Sequence, residues 1–261
     1  LSLGLVSAVH ADDSKLSVSG FIDMSYVSAK TDGNSVSVFG VDQVEIDLSY
    51  KVDDKLTAYV DVEYQENGVD LEQAYLTYQV TDGFSVKAGR FLSYTGFEAE
   101  EPTGLYQYSG TGYAPLFYGY YQQGISAAYS GDKYTVAISL VNDLAGPTST
   151  DSESPGIETM IALMPTDEIT IKGFYSTESV DGTGESNDFI NVWASYAKDA
   201  LTLGAEYNSA SNGATDTDST GYLVMANYAL TDKVAMTVRY HAYETEAPER
   251  TSEFSGITLS P

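Results

Sequence analysis

The strongest constraint on the fold is a strict alternation of apolar and polar residues, repeated in segments of roughly ten residues. The clearest example runs from Val44 to Tyr64 and continues through an Asp53-Asp54 turn, with apolar residues at every second position on both sides. Successive side chains of a strand point to opposite faces, whereas a helix would spread these residues around its circumference. The stretch is therefore predicted to be an antiparallel hairpin with one apolar and one ionic face.

The same alternation recurs along the chain from Leu16 to Tyr240. There are about 13 such segments, and another begins near Ile257 to Leu259. Roughly ten residues is the length with which a tilted strand crosses a bilayer. From Val52 onward, short turns containing Asp alternate with longer polar loops, which are predicted at 142–156, 178–188, 208–220 and 244–253. A meander of this kind is typical of transmembrane barrels, whereas soluble sandwiches mix connection lengths.

The placement of tyrosine supports this interpretation. Ten of the 22 Tyr residues occupy the apolar phase at the ends of predicted strands. Those beside short turns are Tyr50, Tyr78, Tyr129, Tyr196 and Tyr228, and those below long loops are Tyr26, Tyr64, Tyr175, Tyr207 and Tyr240. Two aromatic rings around an aliphatic band are typical of the girdles at membrane interfaces. We predict an all-β fold, a transmembrane antiparallel up-and-down β-barrel of about 14 strands, with short periplasmic turns, long extracellular loops and outer-membrane lipid around it.

Composition excludes several functional classes. The formal net charge is −26, with 12 Lys and Arg against 38 Asp and Glu, which disfavours nucleic acid as a partner. The absence of Cys removes disulfides, zinc-thiolate sites and cysteine nucleophiles. His241 has no nucleophile motif near it, and Asp216 to Ser219 lacks the Gly and terminal Glu of a calcium-binding loop. The sequence therefore predicts no enzyme, no cofactor and no metal site.

The first 11 residues differ from the rest because they are apolar without alternation. They end with Val9 and Ala11 in the positions of a small-residue cleavage site, which is typical of the end of a secretory signal peptide. We interpret residues 1–11 as a signal-peptide remnant and residues 12–261 as the barrel domain. A first apolar strand is the alternative.

Several segments resemble the OmpL-like β-barrel porin family of Gram-negative outer membranes, mainly between Leu16 and Asn142. They are Gly40-Val41-Asp42-Gln43 with the hairpin that follows, Gln73-Ala74-Tyr75-Leu76-Thr77-Tyr78, Val86-Lys87-Ala88-Gly89-Arg90-Phe91 and Gly96-Phe97-Glu98. The resemblance implies a diffusion channel that is monomeric or a homotrimer. Barrels of the outer membrane typically end on an aromatic residue, and this chain ends on Ser260-Pro261. We therefore expect either a C-terminal truncation, with up to 16 strands in the full-length chain, or an incomplete last strand.

If the apolar phase faces lipid, the opposite phase lines a lumen. Its charged members are predicted pore-lining residues: Asp23, Glu45, Asp47, Lys51, Asp61, Glu63, Lys87, Glu158, Lys172, Glu206 and Arg239. Carboxylates outnumber cations in this set, which predicts a mild preference for cations.

The stretch from Tyr94 to Tyr120 is far more aromatic than the other predicted loops, so full exposure would be costly. We predict that it folds into the lumen as a constriction loop and faces cationic wall residues such as Lys87. The residues assigned to this loop are Glu98, Glu100, Glu101, Tyr106, Tyr108 and Tyr113. The alternative is a loop that packs over the rim or against a neighbouring subunit.

The function predicted from these features is that of an outer-membrane porin, through which small hydrophilic solutes or ions diffuse passively. Two alternatives remain open at this stage. One is a barrel plugged by its own side chains, with a structural or adhesion role. The other is a secreted soluble β-barrel that binds a ligand in its interior.

Overall fold

The computed structural model describes residues 15–31, 34–65, 68–107, 113–144, 155–180 and 182–261. The predicted signal-peptide remnant and Tyr108 lie outside these ranges. The described residues form one antiparallel sheet of 14 strands, in which each strand pairs with the next along the chain. The strands are β1 (Leu16–Thr31), β2 (Asn34–Lys51), β3 (Leu56–Gln65), β4 (Gly68–Gln79), β5 (Phe84–Leu92), β6 (Tyr121–Ser130), β7 (Tyr134–Val141), β8 (Gly156–Thr166), β9 (Ile169–Ser179), β10 (Ser186–Lys198), β11 (Leu201–Asn212), β12 (Thr217–Thr231), β13 (Val234–Ala247) and β14 (Arg250–Ser260).

This order confirms the predicted up-and-down arrangement. In the opening hairpin Ile46 is paired with Val62 and Leu48 with Val60, so the apolar residues share one face. Strands β1 and β14 pair only with β2 and β13, and they form the two edges of the described sheet. Helical structure in the described ranges is confined to a 3-10 turn, Pro102–Gly104, and to α1 (Ala114–Phe117), both between β5 and β6. None of the described helices combines the length and the hydropathy needed to span a bilayer.

The polarity of the two faces of the sheet is the reverse of that in a soluble protein. Apolar side chains of the strands are exposed, for example Ile46 at 49% and Ile138 at 51%, whereas the charged Glu45 is only 6% exposed. Glu158, Glu206 and Arg239 are also buried. A soluble β-protein would bury its apolar phase, whereas exposed apolar side chains opposite buried charges are typical of transmembrane barrels.

The connections at one end differ from the prediction. Strands β13 and β14 are joined by residues 248–249 alone, so most of the predicted loop 244–253 is strand. The predicted loop 208–220 shrinks to 213–216, and 178–188 shrinks to 180–185. Strand length was also underestimated, since β2 has 18 residues and β1 has 16. Beyond the apolar band both faces of a hairpin are polar, so pairing continues there without any alternation that would reveal it.

The long connections that remain are 93–120, between β5 and β6, and 142–155, between β7 and β8. The prediction that short and long connections alternate without exception is therefore wrong. Only the middle of the sheet carries long connections at this end, and one of them returns to the interior.

A β-bulge between β3 and β4 changes which side chains reach the interior. The pairing passes from Asp61 with Gln73 to Val62 with Leu71, so Glu72 is an extra residue. Leu71 keeps its exposed position, and Glu72 is buried on the charged face next to Gln73. Bulges re-aim side chains in this way.

Candidate functional site

The inner segment comprises residues 93–120, and its described parts, 93–107 and 113–120, lie within the curve of the sheet. Its described residues form hydrogen bonds to strands that are far apart in the sheet. The partners are Gln43 on β2, Glu158 on β8, Asn191 on β10, Glu206 on β11 and Arg239 on β13. Strands from β2 to β13 can all reach one short segment only if the sheet wraps around it. These contacts place the described residues of the segment on the inner side of the curved sheet, and the role of a constriction loop stays a prediction.

Glu98 of the inner segment forms a two-point ion pair with Arg239. Arg239 Nε donates to Glu98 Oε1 at 2.7 Å, and Nη2 donates to Oε2 at 2.6 Å. The Arg239 side chain is 0% exposed and the Glu98 side chain 6%. Two parallel charge-assisted bonds of this kind are among the strongest polar contacts in proteins. The cation that faces Glu98 is therefore Arg239, and the predicted partner Lys87 is wrong for this residue.

Further contacts hold this ion pair in place. Arg239 Nη1 donates to Nδ1 of His241 at 2.6 Å, because a guanidinium has no acceptor. The guanidinium carbon lies 5.8 Å from the centre of the Tyr113 ring, and Tyr113 is fully buried. Gln107 Nε2 donates to Glu98 Oε1 at 2.5 Å. His241 thus helps to orient a buried cation on the charged face of β13.

Glu206 anchors the inner segment at a second point. It accepts hydrogen bonds from the Phe97 amide at 2.9 Å, from Tyr118 Oη at 2.5 Å and from Asn191 Nδ2 at 2.6 Å. Asn191 also donates to Asn208, whose amide donates to Tyr113 Oη at 2.8 Å. These two asparagines were not singled out from the sequence, since an Asn in the polar phase of a strand carries no signal of a partner.

Glu158 anchors the beginning of the inner segment. Ser93 Oγ donates to Glu158 Oε1 at 2.6 Å, and Gln122 Nε2 donates to the same oxygen at 2.5 Å. The lysines of this region contact aromatic rings. Lys87 Nζ lies 4.2 Å from the Phe91 ring centre, and Lys172 Nζ lies 5.6 Å from that of Trp193.

On the opposite side of the inner segment, five carboxylates gather into what we call the carboxylate cluster: Glu45 and Asp47 of β2, Asp61 of β3, Glu72 of β4 and Glu101 of the inner segment. Carboxylate oxygens of Glu45, Asp47 and Asp61 lie within 4.8 Å of one another, as do those of Glu45, Glu72 and Glu101. Among the described residues, the ion pairs within 4.0 Å are Arg239 with Glu98 and Lys198 with Glu168, so neither involves the cluster.

Neutral donors contact the edge of the carboxylate cluster. Gln43 Nε2 donates to Glu101 Oε2 at 3.1 Å, and Tyr121 Oη donates to Glu101 Oε1 at 2.9 Å. Gln73 Nε2 donates to Asp61 at 2.5 Å. Glu72 was missed in the sequence because strict alternation does not place it in the charged phase, and only the bulge turns it inward.

The remaining predicted residues are placed as follows. Asp23 and Glu63 are buried on the charged face. Lys51 is exposed at the last position of β2, beside the short turn and away from the inner segment. Glu100 and Tyr106 lie in the inner segment but are exposed.

Eight of the ten predicted girdle tyrosines are between 42% and 58% exposed on the apolar face. Tyr196 and Tyr240 are half-buried. Tyr240 packs beside Tyr222, with ring centres 6.0 Å apart. The apolar face also carries Phe39 and Tyr134, which the sequence analysis did not assign to the girdle, next to Tyr26 and Tyr129.

A cavity of about 330 Å³ lies beside the second half of the inner segment. Its lining combines apolar side chains, among them Leu116, Phe174 and Phe189, with the carboxylates of Glu178 and Asp188. The rings of Phe174 and Phe189 are 5.9 Å apart.

Comparisons of the sequence and of the structure with known proteins both identify outer-membrane proteins as similar. A family model described as beta-barrel porin-2, OmpL-like, matches residues 19–256. No curated protein matches the sequence. Among solved structures, Salmonella typhi OmpF in complex with daunomycin is 16% identical with a TM-score of 0.70, over 96% of this chain and 87% of that one. The outer-membrane channel DcaP of Acinetobacter baumannii is 14% identical with a TM-score of 0.63, over 92% and 82%. OmpT of Vibrio cholerae is 15% identical with a TM-score of 0.63, over 97% and 83%. At these identities the structures bear on the fold alone.

Proposed function

Since the chain belongs to the OmpL-like family of β-barrel porins of the Gram-negative outer membrane, we propose that it is a passive channel for small hydrophilic solutes with a mild preference for cations. The observation that carries this proposal is the inverted sheet with a segment held inside it. Such a sheet surrounds an interior lined by charged side chains, and the inner segment divides this interior into two sides of different charge.

The preference for cations follows from how the interior charges are paired. Arg239 is fully buried and bonded to Glu98, so the pair offers little net charge to a passing ion. The carboxylate cluster has no ion-pair partner among the described residues. Uncompensated carboxylates in a confined aqueous space raise the local concentration of cations. The proposed pore lining therefore depends mainly on Glu45, Asp47 and Asp61, with Glu101 facing them from the inner segment.

A barrel plugged by its own side chains is the second candidate, and one observation favours it. The inner segment is bonded to strands on both sides of the interior, and Tyr113, Phe117, Leu223 and Met225 form a buried apolar group between them. This packing narrows whatever passage remains. A secreted soluble barrel is disfavoured, because its apolar phase would be buried instead of exposed.

Conductance in a planar lipid bilayer tests the proposal. We expect discrete current steps and, across a KCl gradient, a reversal potential whose sign shows that K⁺ is more permeant than Cl⁻. A protein that is folded and inserted but silent would favour the plugged barrel. Steps with a preference for Cl⁻ would refute the assignment of the carboxylate cluster to the pore lining. Chemical cross-linking in membranes tests the homotrimer that the family resemblance implies.

A further inference from the structure

We propose that the carboxylate cluster binds a calcium ion, which ties Glu101 of the inner segment to strands β2 and β4. The inference goes beyond the channel proposal, because a cation could bind there whether or not ions pass through the interior. The channel proposal uses only the negative charge of these side chains, whereas a bound ion also requires their oxygens to be close together.

The spacing of the oxygens suits a large hard cation. Calcium takes six to eight oxygen ligands at roughly 2.3–2.6 Å, so two ligands of one ion are separated by up to about 5 Å. The carboxylate oxygens of Glu45, Glu72 and Glu101 lie within 4.8 Å of one another. Carboxylate oxygens of Glu45, Asp47 and Asp61 also lie within 4.8 Å of one another, so Glu45 belongs to both groups. Magnesium prefers ligands at about 2.1 Å in a strict octahedron, which favours calcium here.

Glu72 is the independent observation that indicates a ligand. The residue is only 8% exposed, and its Oε2 atom is buried with no hydrogen-bond partner among the described residues. Buried polar atoms are almost always bonded, and an unbonded carboxylate oxygen among other carboxylates is especially unfavourable. The bulge at Asp61 and Val62 turns this side chain inward, where regular pairing would place one carboxylate fewer.

The lack of a protein cation strengthens the case. Neither ion pair among the described residues reaches the carboxylate cluster, and the contacts to Glu101 come from the neutral Gln43 and Tyr121. Like charges this close cannot all ionise unless a proton or a cation compensates them. The ligand set contains oxygen alone, which suits calcium and does not favour zinc or copper.

The position of the cluster defines what the ion would do. Glu98 binds Arg239 on one side of the inner segment, and Glu101 would bind β2 and β4 through the ion on the other. The segment would thus be attached at both sides, once by a permanent cation of the chain and once by an exchangeable one.

Calcium titration of the folded chain in detergent micelles at pH 7, followed by isothermal calorimetry, tests this site. We expect binding with a Kd of roughly 10⁻⁴–10⁻³ M, the range of extracellular calcium sites, and weaker binding of Mg²⁺. Glu72→Gln and Glu101→Gln should each weaken calcium binding about tenfold or more. Asp70→Asn is the matched control, because it removes the same charge from an exposed position of the same strand. Its affinity should stay within about twofold of the parent.

Thermal unfolding supplies a second readout that does not depend on heat of binding. Calcium should raise the Tm of the parent and of Asp70→Asn, and it should raise the Tm of Glu72→Gln much less. Glu72→Gln removes repulsion and is expected to fold, and Asp61→Asn serves as a second variant. Absence of calcium binding to the parent, equal binding to Glu72→Gln, or tighter binding of Mg²⁺ would each overturn the proposal. A silent barrel that binds calcium would refute only the channel, and a conducting one that ignores calcium would refute only this site.

Discussion

The two sides of the inner segment differ in whether a cation of the chain accompanies their carboxylates. Glu98 and Glu101 are separated by three positions, and both point from the segment towards the wall. On the Glu98 side, Arg239 neutralises the carboxylate through two short hydrogen bonds, and buried amides and phenols complete the network. On the Glu101 side, four more carboxylates approach and no cation of the described chain joins them. The first side is closed by a cation of the chain, whereas the second carries carboxylates that have no ion-pair partner among the described residues.

Removing Arg239, the cation on the Glu98 side, should have the largest effect on stability. Arg239→Met leaves Glu98 buried without its partner, so the free energy of unfolding in detergent should fall by about 3–5 kcal/mol. If the inner segment is then released, single-channel conductance should also rise. The exposed pair of Lys198 and Glu168, 3.7 Å apart, is the control. Lys198→Met should change stability by less than about 1 kcal/mol, and an equal loss in both variants would contradict the contrast between the two pairs.

The hydrogen bond from Tyr118 to Glu206 should contribute the next largest effect. Tyr118→Phe leaves a buried carboxylate with one donor fewer, which should cost about 1.5–3 kcal/mol in urea unfolding. Tyr120→Phe changes an exposed residue of the same segment and should be nearly neutral. A neutral Tyr118→Phe would mean that the segment is held at the Arg239 side alone.

Measurements of ion selectivity compare the Glu98 side and the Glu101 side of the inner segment directly. Glu98→Gln leaves the charge of Arg239 uncompensated, whereas Glu101→Gln removes one charge from the carboxylate cluster. We expect each to lower the ratio of K⁺ to Cl⁻ permeability, by roughly twofold, and the triple change of Glu98, Glu100 and Glu101 to Gln to lower it further. Reversal potentials in a KCl gradient measure the ratio. Unchanged selectivity in the triple variant would place the inner segment away from the ion path.

A change in the turn between β2 and β3, which is remote from both sides of the inner segment, should have the smallest effect on stability. Asp53 Oδ1 accepts from the amides of Lys55 at 2.8 Å and Leu56 at 2.9 Å, and these bonds lower the pKa of the Asp53 carboxyl. Because the folded state holds the proton less tightly, the stabilisation is complete above the ordinary pKa of about 3.9. It is lost as the pH falls through the lower pKa of the folded state.

Asp53→Asn should therefore lower the Tm slightly at pH 7, and the difference from the parent should disappear as the pH falls below the lowered pKa of Asp53 in the folded state. Selectivity should not change, because Asp53 lies in an exposed turn. A difference in Tm that grows at low pH would contradict this account of the turn.

The strands and their faces were predictable because the evidence for them is local. The predicted strand from Phe84 to Leu92 coincides with β5, and the alternation in Val44 to Tyr64 matches the pairing of β2 with β3. The same reasoning failed for 244–253, where polar residues on both faces conceal a hairpin. Of the predicted constriction residues, Glu98, Glu101 and Tyr113 make contacts inside the sheet, and their partners were not apparent in advance.

The sequence alone determined that this chain forms an antiparallel meander with one apolar and one charged face, because an alternation with a period of two can be recognised from neighbouring residues. Only the tertiary structure decided which charges meet. Glu98 and Arg239 are 141 positions apart, and their pairing depends on how far the sheet curves around the inner segment. Glu72 joins the carboxylate cluster through a one-residue shift in pairing, a property of two strands together that neither strand encodes by itself.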